Sequence, residues 1–396
     1  MGTQETVQTV LHVLAWIFAV PALGGSVYAL LCVLAVIRFR TGAGRETHRA
    51  SPAYPPLTIL KPVHGLEKHQ RRNLSSACRQ DYPEYQVVFS VQDASDPAIP
   101  LLEEIRQEFG AERVTVAIED CKAGTNGKIN NMIGGLKHAR YETLVISDSD
   151  VHLKPGYLKK IVAPLADPGV GCACTLYKAA EAGTWYEKME LLSLNADFMA
   201  NVLFAHVTGA SRFCLGASAA LHRSTLERIG GFEALADYLV EDYEMGRRIW
   251  GLGKRVAIIP YFVDTVVDLK DPSQWWSHQV YWDQNTRAAR PFAFFATLLV
   301  RSVPFSLFYA AAQMGSPLGL GVLAGAILLR LLSGAAVLGW GLGDREGLGS
   351  LWLLPFRDIA SLITWLLAFT KRTTIWRGAS FTLTRDGRLV AREARS

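Results

Sequence analysis

An uncharged apolar segment near the N-terminus places the strongest constraint on how this chain can fold. In residues 7–37, His12 carries the only side chain that ionises near neutral pH. This run is longer than the about 20 residues that cross a bilayer. It has no basic n-region and no convincing cleavage site of small residues, which a secretory signal peptide would have. The segment is therefore predicted to be a retained membrane anchor.

Charges beside this anchor indicate its orientation. Arg38, Arg40, Arg45 and Arg49 follow the apolar run, whereas only Glu5 precedes it. Because positively charged flanks stay in the cytoplasm, the N-terminus is expected outside and residues from 40 onward inside.

Apolar character returns toward the C-terminus. Residues 293–314 and 317–341 are each long enough to span, with Arg301 and Arg330 facing other helices or the headgroups. The last run, residues 351–370, contains a proline and two charges, and a third late span would put the basic tail outside. We predict it to be re-entrant or interfacial. The whole chain is expected in the inner (cytoplasmic) membrane as a multi-pass protein.

Composition excludes several classes of protein. Hydrophobic residues make up 50% of the 396 residues and charged residues 19%, which argues against disorder. A net charge of +5 is too mild for a nucleic-acid-binding surface. The six cysteines have no paired C-x-x-C spacing, so neither a disulfide scaffold nor a structural zinc site is expected.

Between the apolar ends, short buried strands alternate with helical segments. This alternation predicts an α/β domain with a mostly parallel sheet and helices on both faces. Ligands of such sheets bind at the carboxyl ends of strands, where Asp93, Asp148 and Asp150 stand. Neither a G-x-G-x-x-G fingerprint nor a Walker A motif is present. The predicted strands are 57–62, 86–91, 114–118 and 143–147, and the predicted helices include 101–109 and 130–139.

Two carboxylates separated by one residue, Asp148 and Asp150, suit a divalent cation. Such oxygen ligands bind Mg²⁺ or Mn²⁺ and leave positions free for a diphosphate. The alternative is a solvated turn. Asp93, at another strand end, could accept hydrogen bonds from a base or ribose.

A later acid, Asp242, opens an apparent helix. It is either a general base or a carboxylate that interacts with the helix dipole. Upstream, Gly216 lies in a loop whose backbone is accessible.

Tryptophans recur at helical spacing just before the late apolar segments. Trp275, Trp276 and Trp282, followed by Arg287 and Arg290, favour an interfacial amphipathic helix. The alternative is an ordinary core helix.

The chain thus divides into five predicted parts. They are an anchor with a basic linker (1–50), the α/β domain (51–270), the interfacial helix (271–291), the C-terminal membrane segments (292–372) and a cytoplasmic tail (373–396).

Several short motifs, in order, resemble the ceramide glucosyltransferase family, membrane-bound relatives of the processive family 2 glycosyltransferases. The likeness runs over about residues 61–377, and bacterial glycosyltransferases of hopanoid lipid synthesis look similar too. The motifs are Leu60-Lys61-Pro62, Val91-Gln92-Asp93, Asp96-Pro97-Ala98-Ile99, Lys128-Ile129-Asn130-Asn131, Asp148-Ser149-Asp150, Val207-Thr208-Gly209, Glu241-Asp242-Tyr243 and Trp376-Arg377-Gly378.

The resemblance implies a GT-A (Rossmann-like) fold that uses a UDP-sugar and Mg²⁺ or Mn²⁺. Asp148 and Asp150 would hold the metal, and Asp242 would deprotonate the acceptor hydroxyl. The residues that would bind the nucleotide-sugar are Lys61, Asp93, Lys128, Asn130 and Asp148. Those on the acceptor side or at the membrane interface would be Gly216, His278, Tyr281, Trp282 and Arg287.

One position departs from the family. The family has Gln or Arg, two variable residues and then Arg-Trp on the interfacial helix, where this chain has His278, two residues, then Tyr281 and Trp282. The phosphate-facing arginine is missing, so either Arg287 or Arg290 substitutes for it or the diphosphate is held differently.

The predicted function is inverting transfer of one sugar from a UDP-sugar to a hydroxyl of a membrane lipid, of ceramide or of hopanoid type. Two alternatives stay open. A processive polysaccharide synthase would need more late spans for a channel. A nucleotide-sugar or lipid binder without catalysis would fit the altered helix but not the intact carboxylates. No nucleic-acid partner is expected.

Overall fold

The computed structural model describes residues 3–46, 54–370, 373–376, 379–384 and 387–391. The predicted boundary at residue 50 and the Arg377-Gly378 part of the last motif lie outside these residues. The chain divides into two compact units. A helical unit contains Met1–Gly42, Glu181–Gly209 and Leu269–Arg372, and an α/β unit contains Ala43–Ala180, Ala210–Asp268 and Thr373–Ser396.

The α/β unit is built on a mixed sheet of seven strands. Their spatial order is β3-β2-β1-β4-β6-β5-β7, and all neighbours are parallel except β6, which runs antiparallel to both β4 and β5. The predicted parallel sheet is therefore confirmed, with one reversed strand. The strands are β1 (Leu57–Pro62), β2 (Tyr85–Val91), β3 (Val114–Ile118), β4 (Thr143–Ser147), β5 (Val170–Ala179), β6 (Ser218–His222) and β7 (Arg255–Thr265).

The central strands are covered on both faces. Every residue of β1, β2 and β4 is buried, which explains why they have near-continuous apolar sequences rather than alternation. Leu57, Ile59, Val87, Phe89 and Val145 share one core cluster. The α-helices of this unit are Gln70–Cys78, Ile99–Phe109, Gly127–Leu136, Tyr157–Val162, Arg223–Arg228 and Glu241–Gly251.

The C-terminal residues add a second, smaller sheet to the α/β unit. Its three antiparallel strands are β8 (Thr373–Trp376), β9 (Ala379–Leu383) and β10 (Leu389–Ala391). The segment predicted only as a cytoplasmic tail thus has regular structure.

Several strand ends and the turns that follow them lie at one edge of the large sheet. Because β1 is parallel to both β2 and β4, the carboxyl ends of these strands lie at the same edge. The antiparallel β6 starts there, and the amide of Asp148 donates a 3.1 Å hydrogen bond to the carbonyl of Ala217. The strand order also reverses at β1, a position where α/β sheets form a crevice.

The helical unit contains the N-terminal helix and most of the late helices. Three helices are long and apolar enough to cross a membrane: Gln4–Gly42, Pro317–Leu342 and Leu351–Thr370. Its α-helices are Thr3–Glu46 (whose last residues pass into the α/β unit), Trp185–Leu192, Met199–Val207, Pro272–Ala289, Pro291–Ala296, Ser302–Ala312, Pro317–Ala335, Arg345–Gly349 and Leu354–Thr370.

Residues 181–209, which the sequence-based division placed in the α/β domain, belong to this helical unit. The reason is a shared apolar core. Met189 and Leu192 of that segment pack in one cluster with Leu338 and Leu354.

The late segments differ from the sequence prediction. The predicted span 293–314 is broken, because Pro291–Val300 and Ser302–Ala312 meet at a bend of 50°. Residues 351–370, predicted to be re-entrant or interfacial, form a continuous helix that is long and apolar enough to cross a membrane. Pro355 lies in its first helical turn, where a missing N–H costs no helical hydrogen bond.

Charges inside this last helix are neutralised by partners within the unit. Arg330 Nε lies 2.8 Å from Asp358 Oδ2, and Arg330 also pairs with Asp197. Arg357 pairs with Asp197 and with Asp358. The charges that made residues 351–370 look unsuited to hydrocarbon therefore bind one another.

The predicted helix of residues 271–291 is present as Pro272–Ala289, with Asp271 capping its N-terminus. Its assignment as an interfacial helix is wrong for Trp275. That side chain is 5% exposed and belongs, with Met189 and Leu354, to the core cluster of the helical unit. Trp276 packs against the same cluster. Trp275 is thus a core residue, and the interfacial placement of the rest of this helix stays a prediction.

We expect Trp275→Ser to lower the free energy of unfolding by about 3–5 kcal/mol, the cost of truncating a buried tryptophan. Thermal unfolding of the purified protein in detergent measures this loss. Trp352→Ser is the matched control, because Trp352 is 63% exposed in the same unit. Equal destabilisation by the two substitutions would contradict a core role for Trp275.

Candidate functional site

A small pocket at the carboxyl edge of the large sheet contains three charged side chains against an apolar wall. Lys128, Glu241 and Asp242 line it together with Gly216. The apolar wall is formed by Ile129, Met132, Ile146, Leu215, Ala219, Phe232, Leu235 and Met245. All of these residues belong to the α/β unit.

Lys128 stands at the start of the helix Gly127–Leu136. The side chain of Asn126 caps this helix and accepts from the amide of Lys128. The ammonium of Lys128 lies 2.7 Å from Asp148 Oδ1 and 3.0 Å from Glu241 Oε1. Burial lowers the pKa of Lys128, but these two carboxylates raise it well above its ordinary value, so the group stays charged.

Asp148 and Asp150 follow β4 directly. Burial raises the pKa of Asp148 to about 6, although the nearby Lys128 ammonium favours its ionised form. Asp150 Oδ2 accepts a 2.6 Å hydrogen bond from the hydroxyl of Thr265, at the end of β7. Both carboxylates are partly exposed.

Lys61 was predicted to contact the nucleotide, and its position contradicts that role. Its side chain is fully buried, and its ammonium donates to the carbonyls of Asp148 at 2.7 Å and of Val151 at 3.1 Å. Burial lowers its pKa to about 8. The buried Asn73 donates similarly to the carbonyl of Asp150. Lys61 and Asn73 therefore fix the backbone of the turn that carries both aspartates.

Asp242 lies in the first turn of the helix Glu241–Gly251 and faces Gly216. A Cβ atom at position 216 would lie only 2.9 Å from Asp242 Oδ2, so a larger residue there would shift the Asp242 carboxylate. Burial and the neighbouring Glu241 carboxylate raise the pKa of Asp242, and the amide of Tyr243 donates 2.7 Å to its Oδ1. Such a group is suited to exchanging a proton near neutral pH.

Two further predicted nucleotide ligands differ in accessibility. Asp93 is exposed at the end of β2, where hydrogen bonds from the amide and hydroxyl of Ser95 lower its pKa. Asn130 is 5% exposed and bonds both backbone groups of Gly124, so its amide shapes the preceding loop and is not free for a nucleotide. The nucleotide contact of Asp93 stays a prediction.

The remaining predicted residues lie in the helical unit. His278 Nδ1 is 2.8 Å from Glu190 Oε1, and the indole N–H of Trp282 donates to His278 Nε2. The Tyr281 ring stacks on His278 with centroids 6.2 Å apart. The Arg287 guanidinium lies over the Phe369 ring, and its substitution for the family's arginine stays a prediction.

Sequence reasoning missed two members of the site. Glu241 appeared only as part of a motif, yet it bridges Lys128 and Asn126, whose amide lies 3.3 Å from Glu241 Oε2. Asn126 was not identified at all. An asparagine just before a helix start is a typical N-cap, so this residue could have been found.

Asp148 and Asp150 suit a divalent-cation site in which the substrate supplies the remaining ligands. Among the residues that the structure describes, no group of three or more His, Cys, Asp or Glu side chains is arranged to hold a metal. Mg²⁺ is nevertheless commonly bound by one or two carboxylates together with substrate phosphates. Asp148 and Asp150 supply that number and that chemistry at the open edge of the sheet.

Comparisons with known proteins found relatives by sequence and a solved structure with a similar fold. Ceramide glucosyltransferase 1 of Caenorhabditis elegans is 24% identical over 246 residues, which cover 61% of this chain and 52% of that protein. The ceramide glucosyltransferase of Candida albicans is 31% identical over 124 residues, covering 28% of this chain and 23% of that protein. The chain thus spans about half the length, or less, of these relatives.

A solved structure shares the architecture. The mannosyltransferase PcManGT from Pyrobaculum calidifontis, in complex with GDP-Man and Mn²⁺, superposes with a TM-score of 0.50 at 20% identity. The alignment covers 90% of this chain and 99% of that one. The predicted GT-A fold is confirmed by this likeness.

The family follows from the sequence itself. The model for glycosyl transferase family 21 matches residues 14–389, a range that contains both the sheet and the apolar helices. With the carboxylate-lined edge of a GT-A sheet inside that range, the chain belongs to glycosyl transferase family 21.

Proposed function

We propose that this chain transfers one sugar from a UDP-sugar to a hydroxyl group of a membrane lipid, with inversion at the anomeric carbon. The observation that supports it most is the grouping of Lys128, Asp148 and Asp242 at the carboxyl edge of the sheet. The names of the curated relatives suggest a ceramide-type acceptor. A hopanoid lipid is the alternative acceptor, and mass spectrometry of products from a panel of both lipids distinguishes them.

In this proposal each charged residue has one task. Asp242 accepts the proton of the acceptor hydroxyl as its oxygen attacks the anomeric carbon and the bond to the diphosphate breaks. Lys128 provides a fixed positive charge next to Asp148, where the departing diphosphate gains negative charge. When bound by Asp148 and Asp150, Mg²⁺ or Mn²⁺ supplies further Lewis-acid stabilisation of that leaving group. A single displacement by this route converts an α-linked donor into a β-linked product.

The membrane arrangement is proposed from the composition of the α/β unit. This unit combines residues before and after the late apolar helices, and one compact unit lies on one side of a membrane. The chain between residue 268 and residue 373 must then cross the membrane an even number of times. Pro317–Leu342 and Leu351–Thr370 are continuous, whereas the helix pair over residues 291–312 is bent. We infer that the two continuous helices cross and the bent pair turns back.

With the N-terminal helix, this arrangement gives three crossings. It keeps the N-terminus outside and the α/β unit and basic tail in the cytoplasm, as the positive-inside rule requires. The acceptor lipid then reaches a cytoplasmic active site from the adjacent leaflet. In a bacterial cell this is the inner membrane.

Metal dependence is the first test. Asp148→Asn should lower turnover by at least about 100-fold, because a Lewis-acidic cation contributes several kcal/mol of charge stabilisation. It should also weaken Mn²⁺ binding in the presence of UDP, measured by electron paramagnetic resonance. The exposed Asp120→Asn is the control and should leave both unchanged. Full activity in EDTA would contradict the proposal.

The second test uses pH. Asp242 must be ionised to accept a proton, so kcat/KM falls as pH drops through its pKa. The Glu241 carboxylate raises that pKa, and Glu241→Gln removes the negative charge while keeping the size of the side chain. The acidic limb of the kcat/KM profile should therefore move to lower pH. A limb that stays in place, or moves to higher pH, would show that Asp242 is not the titrating base.

The third test concerns the crossings. A membrane-impermeant maleimide should label Gly349→Cys in intact cells but label Met314→Cys only after permeabilisation. Both positions are exposed between apolar helices. The unmodified protein is the control, because its described cysteines are buried except the partly buried Cys121 of the α/β unit. Labelling of Met314→Cys from outside would mean that the bent pair crosses the membrane.

A further inference from the structure

β10, the last strand that the structure describes, and the residues just before it bind the segment that leads into Asp242. The amide of Leu389 donates 2.8 Å to the carbonyl of Asp237, and the amide of Leu239 donates 3.2 Å to the carbonyl of Gly387. Leu389 is 2% exposed, so its side chain is buried as well. Through these two backbone hydrogen bonds, β10 and Gly387 pair with residues 237–239 as a neighbouring strand would.

The opposite side of the same segment is bound by the turn before Lys128. The amide of Asn126 donates 2.7 Å to the carbonyl of Ala236, and its side chain donates 2.9 Å to the carbonyl of Tyr238. The amide of Thr125 donates 3.0 Å to the Asp237 carboxylate. Residues 236–239 thus lie between the C-terminal strand and the loop that positions Lys128.

Two guanidinium groups lie over the ring of Tyr238. The Arg388 guanidinium lies 5.3 Å from its ring centroid, and the Arg248 guanidinium lies 5.9 Å from it. Arg388 lies between β9 and β10, and Arg248 belongs to the helix Glu241–Gly251, which carries Asp242. The tyrosine therefore links the residue just before β10 to the helix of the candidate base.

We propose that the C-terminal hairpin, defined as β9, β10 and the described residues Thr384, Gly387 and Arg388 between them, positions Asp242 for catalysis, with Leu389 and Arg388 as its positioning residues. The inference rests on the proposed function, in which Asp242 is the base. The hairpin fixes residues 237–239 from one side, while the Asn126 loop fixes them from the other. Asp242 follows this segment within one short turn, so the distance between Asp242 and Lys128 depends on both contacts.

The size of the expected effect follows from geometry. A displacement of about 1 Å at a reacting group can lower turnover about 100-fold. Donor binding depends instead on Lys128 and the aspartates after β4. The hairpin reaches the loop before Lys128 through the Leu389 carbonyl, which accepts 3.3 Å from the Thr125 hydroxyl, and a change of the Leu389 side chain keeps that carbonyl. Loss of the hairpin contact should therefore reduce kcat far more than affinity for UDP.

The test compares Leu389→Ser with Val390→Ser on the same strand, because Val390 is 51% exposed. Leu389→Ser should lower kcat by about 10- to 100-fold and leave the UDP dissociation constant, measured by calorimetry, within about twofold. Val390→Ser should change neither, and Leu389→Met should retain most of the turnover. Equal loss of UDP binding in Leu389→Ser would overturn the proposal, because the hairpin would then support the fold as a whole.

Arg388 is exposed, so its substitution tests the proposal without disturbing a buried side chain. Arg388→Ala should lower kcat about two- to fivefold through loss of the cation over Tyr238, and Arg388→Lys should restore it. Asp242→Asn in the same assay separates the two proposals. If Asp242→Asn is inactive while both hairpin variants match the unmodified protein, only the hairpin proposal fails. If Asp242→Asn retains full turnover, the proposed function itself fails.

Discussion

The candidate site depends on the charge of Lys128. Asp148, Glu241 and Asp242 are all partly buried around its ammonium, and without it three carboxylates would face one another in a poorly solvated pocket. Their mutual repulsion and burial would favour protonation over the ionised forms that bind a cation or accept a proton. Lys128 offsets this cost and remains ionised itself, because two carboxylates lie within 3.0 Å of its nitrogen. The helix cap formed by Asn126 sets where that charge stands.

Buried hydrogen-bond donors also fix the backbone around the site. Lys61 lies inside the α/β unit, and its ammonium replaces the water that the carbonyls of Asp148 and Val151 would otherwise bind. A buried polar group costs little free energy only when it is hydrogen-bonded, so this turn has few alternative conformations. Lys61 is consequently a structural contact of the aspartate turn rather than a ligand of substrate.

The helical unit uses paired charges for a different purpose. Arg330 and Arg357 would be costly in an apolar environment as single charges, but Asp197 and Asp358 neutralise both. These pairs connect three separate stretches of the chain. Since removing one partner would leave an uncompensated charge among apolar helices, they restrict how these helices can pack.

By itself, the sequence determined the order of the strands up to β4 and the places of the apolar helices, because buried strands, apolar runs and strand-end aspartates are local patterns. β1, β3 and β4 have their predicted limits, and the family motifs contain Asp148 and Asp242, which the structure places near Lys128. Only the tertiary structure decided which polar residues face inward, as Lys61 does, since that depends on distant carbonyls. It also decided that residues 351–370 form a continuous helix, since the neutralising partners come from other parts of the chain. Spacing along one segment carries no information about such long-range partners, and they are what assemble the site.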